Sequence, residues 1–356
     1  MDHRPTDEQL PGVLAIDAGN SKTDVALVSA AGEVLATARG GGFQPQRVGA
    51  DTAVAGLTPL VEAVAAQASL TLGGRPLTTH VSACLANADL PVEEQALQTA
   101  VAARPWGVSS SVVNDTFGLL RAGTEGPLGV AVVCGAGINC VGLLPDGRTA
   151  RFPALGALTG DWGGGHGLAT ESLWHAHRAE DGRGRPTGLA PAIAAHFGLP
   201  TAAAVAEAIH LGRIADTRLH ELVPVLFHEA AAGDAVALEL VDRQADEITR
   251  LAVVALTRLD LLDTPAPVVF GGGVLSSRHP LLIDNIQTRL AAAAPLAAPR
   301  IVVAPPVLGA ALLGLDALGA SPAAQERLRL HYESAAPSRG AGNGAASPNQ
   351  ARSLTV

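Results

Sequence analysis

Lysine is nearly missing from this 356-residue chain: of its 24 Lys and Arg residues, Lys22 is the single lysine. Aromatic residues make up 3% of positions, and there are one methionine and three cysteines. Each shortage excludes something. Cys84, Cys134 and Cys140 are an odd number in a long chain and supply no disulfide framework, so they read as small buried apolar residues. The 24 basic residues stand against 33 acidic ones, a net charge of -9 spread along the chain. No basic stripe is left for a phosphate backbone, which sets nucleic acid aside as a partner. Apolar runs are broken by charge, Gly or Pro before they reach spanning length, and the opening MDHRPTDEQLPG has no apolar leader core. No membrane is expected as a partner, and the expected location is cytoplasmic.

What is present is 48% hydrophobic residues, with 40 glycines, in a chain long enough for two packed domains. Apolar strands at Val13 to Ile16 and Asp24 to Ser29 precede a helical stretch from Asp51, where Val54, Leu57, Val61 and Val64 recur at helical spacing. The fold class is therefore α/β. An internal echo is more specific: GVLAIDAGNSKTDVALVSAAGEV from Gly12 is matched by GVAVVCGAGINCVGLLPDGRT from Gly129. Each copy reads as strand, glycine loop, strand and polar turn, at Ala31-Gly32 and at Asp146-Gly147. Two related domains opening on glycine-looped hairpins would face each other. A third glycine loop, Gly271 to Gly273, follows a helix with Ile248, Leu251, Ala255, Leu259 and Leu262 on one face and the strand APVVF. The stretch 334–356 is rich in Ala, Gly, Ser and Pro without apolar period and reads as a disordered tail.

In the first loop Gly19 and Asn20 are residue types that accept positive φ, while Ser21, Lys22 and Thr23 add donors. Successive N–H groups there would form a nest for an anion, and Lys22 would bring a compact charge to a β- or γ-phosphate. Asp17 at the strand end would hold Mg²⁺ through water. An ordinary polar turn with a solvated lysine fits the same residues. The pattern is neither a Walker A loop nor a full dinucleotide fingerprint. In SVVNDTFGLLRAG, Asp115 falls where a short strand, Ser111 to Val113, gives way to a helical turn, and its carboxylate could accept a proton from a substrate hydroxyl. Alternatively, Asn114 or Asp115 caps that helix. His175 and His177, two apart on a helix, face different ways and read as surface residues, not a metal site.

Asp17-Ala-Gly-Asn-Ser-Lys-Thr-Asp24, Asn114-Asp115-x-x-Gly118, Cys134-Gly-Ala-Gly-Ile-Asn139, Gly160-Asp161-Trp162-Gly163-Gly164 and Gly271-Gly-Gly-Val274 occur in this order. With them the chain resembles the N-acetylglucosamine kinase/BadF-type ATPase family of the actin-like ATPase and sugar kinase superfamily. The resemblance implies two ribonuclease H-like domains with an interdomain cleft: a tail over 1–12, an N-terminal domain over 13–122, a C-terminal domain over 123–320, a helix over 321–333 and the tail over 334–356. It implies that ATP binds through Gly19, Asn20, Ser21, Lys22 and Thr23, through Gly135, Ala136 and Gly137, and through an adenosine motif at Gly271, Gly272, Gly273 and Val274. Asp17 would belong to the Mg²⁺ site and Asp115 would be the catalytic base. Gln44, Asn114, Asn139 and Asp161 would face the sugar.

Three positions depart from the family's pattern: Gln44 stands in place of Asn, Ala136 in place of Thr, and Trp162 in place of Glu. All three fall on the sugar side, so the acceptor is less defined than the reaction. The expected activity is ATP-dependent phosphorylation of a hydroxyl on a small sugar, an amino sugar such as N-acetylglucosamine, by a monomer or a homodimer. Alternatives are an ATPase activator of an iron–sulfur dehydratase, which needs thiolates at a shared interface, and a catalytically silent sugar- or nucleotide-binding regulator. Lys22 fits the kinase reading, because a compact ammonium approaches a phosphate without the wide planar fork of arginine.

Overall fold

The computed structural model describes residues 10–334, and within them the chain forms two five-stranded sheets. The first holds β1 (Val13–Ala18), β2 (Thr23–Val28), β3 (Val34–Gly40), β4 (Thr78–Leu85) and β5 (Gly107–Asn114) in the order β3-β2-β1-β4-β5. The second holds β6 (Gly129–Cys134), β7 (Ile138–Leu143), β8 (Thr149–Arg151), β9 (Ala266–Gly271) and β10 (Ala297–Ile301) in the order β10-β9-β6-β7-β8. Read from the other edge this is the same arrangement, with three antiparallel strands followed by two parallel ones. The echo between Gly12 and Gly129 thus marks a duplicated sheet whose first hairpins are β1–β2 and β6–β7. The fold is that of two ribonuclease H-like, actin-like ATPase domains.

β1 and β2 are buried along their whole length, which is why VLAIDA and TDVALV read as continuous apolar runs. One face of the first sheet, with Leu14, Ile16, Val25 and Leu27, packs on Val54, Val61, Val64 and Leu97. The helix expected from Asp51 is two, Ala50–Ala55 and Thr58–Gln67, because Pro59 is excluded from a helix interior but suits the first turn of a new one. The strand expected at Ser111 to Val113 extends over all of β5.

The opposite face of that sheet, Val13, Ala15, Ala26 and Val28, is covered by helix Pro306–Ala317 through Leu308, Ala311, Leu312 and Leu315. The sequence reading assigns this helix to the second domain, yet it packs on the first sheet. It is buried nearly all round, and the gap between the sheets is where such a helix can hide every side. Helix Asp115–Gly123 covers the facing side of the second sheet, setting Phe117, Leu119 and Leu120 against Ala131, Val141 and Val269. These two helices therefore lie between the sheets and meet backbone to backbone: a Cβ added to Gly309 would stand 1.7 Å from the Gly118 carbonyl oxygen.

Arg121, 1% exposed, closes the joint. Its Nε and Nη2 donate to Asp316 at 2.7 and 3.0 Å, Nη2 also donates to Gln325 at 2.7 Å, and Nη1 to the Thr124 carbonyl at 2.9 Å. Gln325 belongs to the last helix, Pro322–Ser334. At the other end Pro11 and Gly12 carbonyls accept from Thr79 and His80, extending the β1 side by two residues into the stretch expected as a tail. The rest of the two expected tails, 1–9 and 335–356, lies outside the described residues. Among the described residues no single helix is long and apolar enough to cross a membrane.

Gly309→Ala should lower stability by about 1–3 kcal/mol or abolish folding, because the clash is with a carbonyl and not with a side chain that can move aside. Chemical denaturation would measure this, and a variant as stable as wild type would mean that the helices separate without cost.

Candidate functional site

The β1–β2 turn is closed by Gly19 N–H donating to the Lys22 carbonyl at 2.9 Å. It is pinned from outside by Phe43 N–H on the Gly19 carbonyl at 2.9 Å and by Thr23 Oγ1 on the Gly41 carbonyl at 2.9 Å. Positive φ, which Gly19 and Asn20 would tolerate, is used by neither. Lys22 is half exposed, with Nζ 3.8 Å from Asp24 Oδ2, while Asp24 is held by Arg39 through Nε and Nη2 at 2.5 and 3.1 Å. Arginine thus neutralises the local carboxylate, and the ammonium on its flexible stem is left to swing.

On the second sheet Gly135 N–H donates to Gly137 at 2.9 Å, and the carbonyls of Gly135 and Ala136 accept from Gly165 and His166 at 2.7 and 2.9 Å. Gly272, at φ 89°, lies so close that a Cβ would stand 2.5 Å from the Cys134 carbonyl, which requires glycine twice over. Gly271 ends β9, so the third loop abuts the second. A cavity of about 970 Å³ opens here, bringing Ser21 together with Gly135, Ala136, Gly273 and Val274. Its wall also carries His166, His220, His228 and His279, and the Phe227 ring stacks on His279 with centroids 4.6 Å apart. No motif marked these histidines or Phe227, which enter from helical segments far along the chain.

Asp17, Asp24 and Asp115 form an acidic centre. Asp17, one residue before the end of β1, stands opposite Asp24 in the antiparallel register and is 6% exposed. Burial pushes its carboxyl well above the usual carboxylate range, Asp115 and Asp24 add repulsion, and Lys22 opposes them. Asp115 is the first residue of helix Asp115–Gly123, and burial raises it to about 6 against the pull of the Thr116 and Asp115 N–H groups. The helix cap is Asn114, whose Oδ1 accepts from Thr116 N–H at 3.0 Å. Among the described residues no group of three or more His, Cys, Asp or Glu could hold a metal ion.

On the remaining side Asn114 and Asn139 converge on a residue that sequence reasoning missed, Asp89. Its Oδ1 accepts from Asn114 Nδ2 at 2.8 Å and from Asn139 Nδ2 at 3.2 Å. Burial first, then Asp115 and Glu93, lift Asp89 to about 7. In the sequence this residue passes for part of a helix entry before Pro91, and nothing local indicates its long-range partners. Gln44 precedes helix Pro45–Val48 without capping it, one residue after the Phe43 that pins the first loop. Asp161 is held by Thr159 Oγ1 at 2.8 Å, and Trp162 stacks under the Arg243 guanidinium, 4.1 Å from the ring centre. The hydrogen bonds of this centre thus join Asn114 and Asn139; Gln44 and Asp161 stand in loops outside them. All three cysteines are free and buried, and burial raises every thiol above its ordinary value.

The model of the BadF/BadG/BcrA/BcrD ATPase family matches residues 14–314. N-acetyl-D-glucosamine kinase of Dictyostelium discoideum is 25% identical over 85% of this chain and 97% of its own. N-acetylmuramic acid/N-acetylglucosamine kinase of Clostridium acetobutylicum is 24% identical over 74% and 86% respectively. Among solved structures, a Chromobacterium violaceum protein provisionally named N-acetylglucosamine kinase shares the fold at a TM-score of 0.66 and 23% identity, over 86% of this chain and 99% of that one.

The raised carboxyl of Asp115 has a consequence for stability. Below pH 3.8 the group is protonated in both folded and unfolded chains; as pH rises towards 6 the unfolded chain ionises first, so the folded state loses stability across that window. Asp115→Asn removes the effect. The ligand-free variant should gain about 2–3 kcal/mol over wild type at pH 7 and little at pH 4, read from urea melts at both values. A gain independent of pH would mean that Asp115 is not desolvated.

Proposed function

The chain belongs to the BadF/BadG/BcrA/BcrD ATPase family, and from that membership we propose that it is an ATP-dependent kinase phosphorylating a hydroxyl of a small amino sugar, with N-acetylglucosamine the first compound to test. The observation that carries this reading is the setting of Asp115: a carboxyl at the start of the helix that follows β5, raised to about 6, and next in the chain to Asn114, whose amide meets that of Asn139 on Asp89. A base of that strength is ionised at pH 7 yet takes a proton more readily than an ordinary carboxylate. The two N-acetylglucosamine-phosphorylating kinases that the chain is similar to point to the sugar class.

In this reading Asp115 accepts the proton of the acceptor hydroxyl as its oxygen bonds to the γ-phosphorus, the bond from that phosphorus to the β–γ bridging oxygen breaks, and ADP leaves with that electron pair. In the first loop, Gly19 to Thr23, and the second, Gly135 to Gly137, the N–H groups of Gly19 and Gly135 close the turns while the others are available to the phosphates, and Lys22 swings from Asp24 to the γ-phosphate. Gly271 to Val274 flank the adenosine end of the cavity. Asp17 would hold Mg²⁺, which would supply positive charge to offset that developing on the phosphate oxygens, and the crowding of Asp17, Asp24 and Asp115 favours a cation there. Asn114 and Asn139 bind the sugar, with Gln44 and Asp161 closing on it from their loops. Trp162, committed to Arg243, leaves the family's glutamate without a substitute. A dehydratase activator would need thiolates at a surface, and the burial of Cys84, Cys134 and Cys140 speaks against it.

The test is ADP release against N-acetylglucosamine, other amino sugars, neutral hexoses, anhydro-sugars and pantothenate. An amino sugar should give the highest kcat/KM, and no acceptor-dependent release across the panel would reject the kinase. Asp115→Asn should cut kcat by about 10²-fold or more with ATP affinity little changed. Lys22→Ala should weaken ATP more than ADP, since only ATP carries the γ-phosphate.

A further inference from the structure

The turn after β4 reaches three other parts of the cleft. Asn87, a non-glycine residue at φ 61°, donates from Nδ2 to Asn20 Oδ1 in the first loop at 3.0 Å. Two residues later Asp89 receives the amides of Asn114, from the end of β5, and of Asn139, from β7 in the other sheet. The turn is braced on both sides. Glu93 Oε2 accepts from the N–H groups of Leu90 and Asp89 at 2.9 and 3.3 Å. From the second sheet Arg151 Nη2 donates to the Ala88 carbonyl at 2.9 Å, and its Nη1 pairs with Glu94.

The two amides cannot be turned round. Asn114 Oδ1 accepts from Thr116 N–H at 3.0 Å and Asn139 Oδ1 from Cys140 N–H at 2.7 Å, so each NH₂ must face the other way. Asp89 Oδ1 accepts from both amides, a role it keeps whether Oδ2 is ionised or carries a proton. A single side chain thereby orients amides that come from opposite sheets, and it can do so only while the sheets stand together.

We propose that Asp89 is a positioning residue for the phosphorylation reaction, fixing the Asn114 and Asn139 amides in the direction that receives the sugar. The role rests on the reading of those two asparagines as sugar-facing. Asp89 need not touch the reacting atoms; it acts through the amides, and Arg151 and Glu93 act by holding its backbone in place.

The experiment compares full-length Asp89→Ala and Asp89→Asn with wild type. The asparagine oxygen can still accept from both amides, whereas alanine accepts from neither. N-acetylglucosamine affinity is measured by calorimetry, acceptor and ATP KM by ADP release, and amide hydrogen exchange at Thr116 and Cys140 in the ligand-free protein. Asp89→Ala should lose about tenfold or more in sugar affinity and raise the acceptor KM in step, keep the ATP KM within about twofold, and speed exchange at both amides. Asp89→Asn should restore all of these. Unchanged exchange in Asp89→Ala overturns the proposal whatever the substrate, and so does faster exchange with unchanged sugar affinity. A wild type that binds no amino sugar sinks the functional reading and the role at the acceptor with it, while exchange still reports separately whether Asp89 orients the amides. If Asp89→Ala fails to fold, Asp89→Ser, which keeps an acceptor too short to reach both amides, carries the same comparison.

Discussion

Helices Asp115–Gly123 and Pro306–Ala317 touch backbone to backbone between the sheets, and the position of every cleft residue follows from that contact. Gly309 lets the second helix settle against the Gly118 carbonyl, and Arg121 fastens the far end to Asp316 and Gln325. Buried arginine is costly unless each N–H group is satisfied; here Asp316, Gln325 and the Thr124 carbonyl satisfy Nε, Nη1 and Nη2. Because helix Asp115–Gly123 starts directly at the end of β5, the joint that sets one sheet against the other also sets the depth of Asp115. A residue at the first turn of a helix clamped on both sides has little freedom to wander, which a group working on a bound hydroxyl requires.

The cleft has a second constraint, that of unpaired charge. Asp17, Asp89 and Asp115 lie close enough that Asp115 raises both of the others, and burial raises all three. The positive charge nearby is committed elsewhere: Arg39 to Asp24, Arg151 to Glu94 and the Ala88 carbonyl. Such an arrangement is poor for stability and well suited to receiving a cation with its phosphates. It also gives the lone lysine a setting, since Lys22 is the cation at the rim whose partner, Asp24, is already satisfied by arginine.

Much of this was legible from residues near one another in the chain. The strand–glycine–strand pattern at Gly12 and Gly129 showed the duplication, because a strand buried on both faces must be an apolar run and the turns that join such strands need glycine, as at Gly32 and Gly147. Asp115 at the junction of β5 and its helix was readable from the change of period. Less readable was which of two adjacent residues caps: Asn114 does, and only coordinates separate it from Asp115. The continuous helix expected after Asp51 failed at Pro59, where the period of the apolar positions survives a break in the backbone.

What the sequence alone determined is therefore the class of fold, the three glycine loops, the acid at the strand end and the family pattern, all of which rest on spacings of a few residues. Tertiary structure decided the rest. Helix Pro306–Ala317 joined the first sheet because the gap between the sheets was the place that could bury it all round. The cavity drew His166, His220, Phe227 and His279 from separate helical segments, and Asp89 found Asn114 and Asn139 across 25 and 50 residues of chain. A side chain's local pattern records the element it belongs to, whereas its partner across the cleft is chosen by how the elements pack, and no spacing along the chain encodes that.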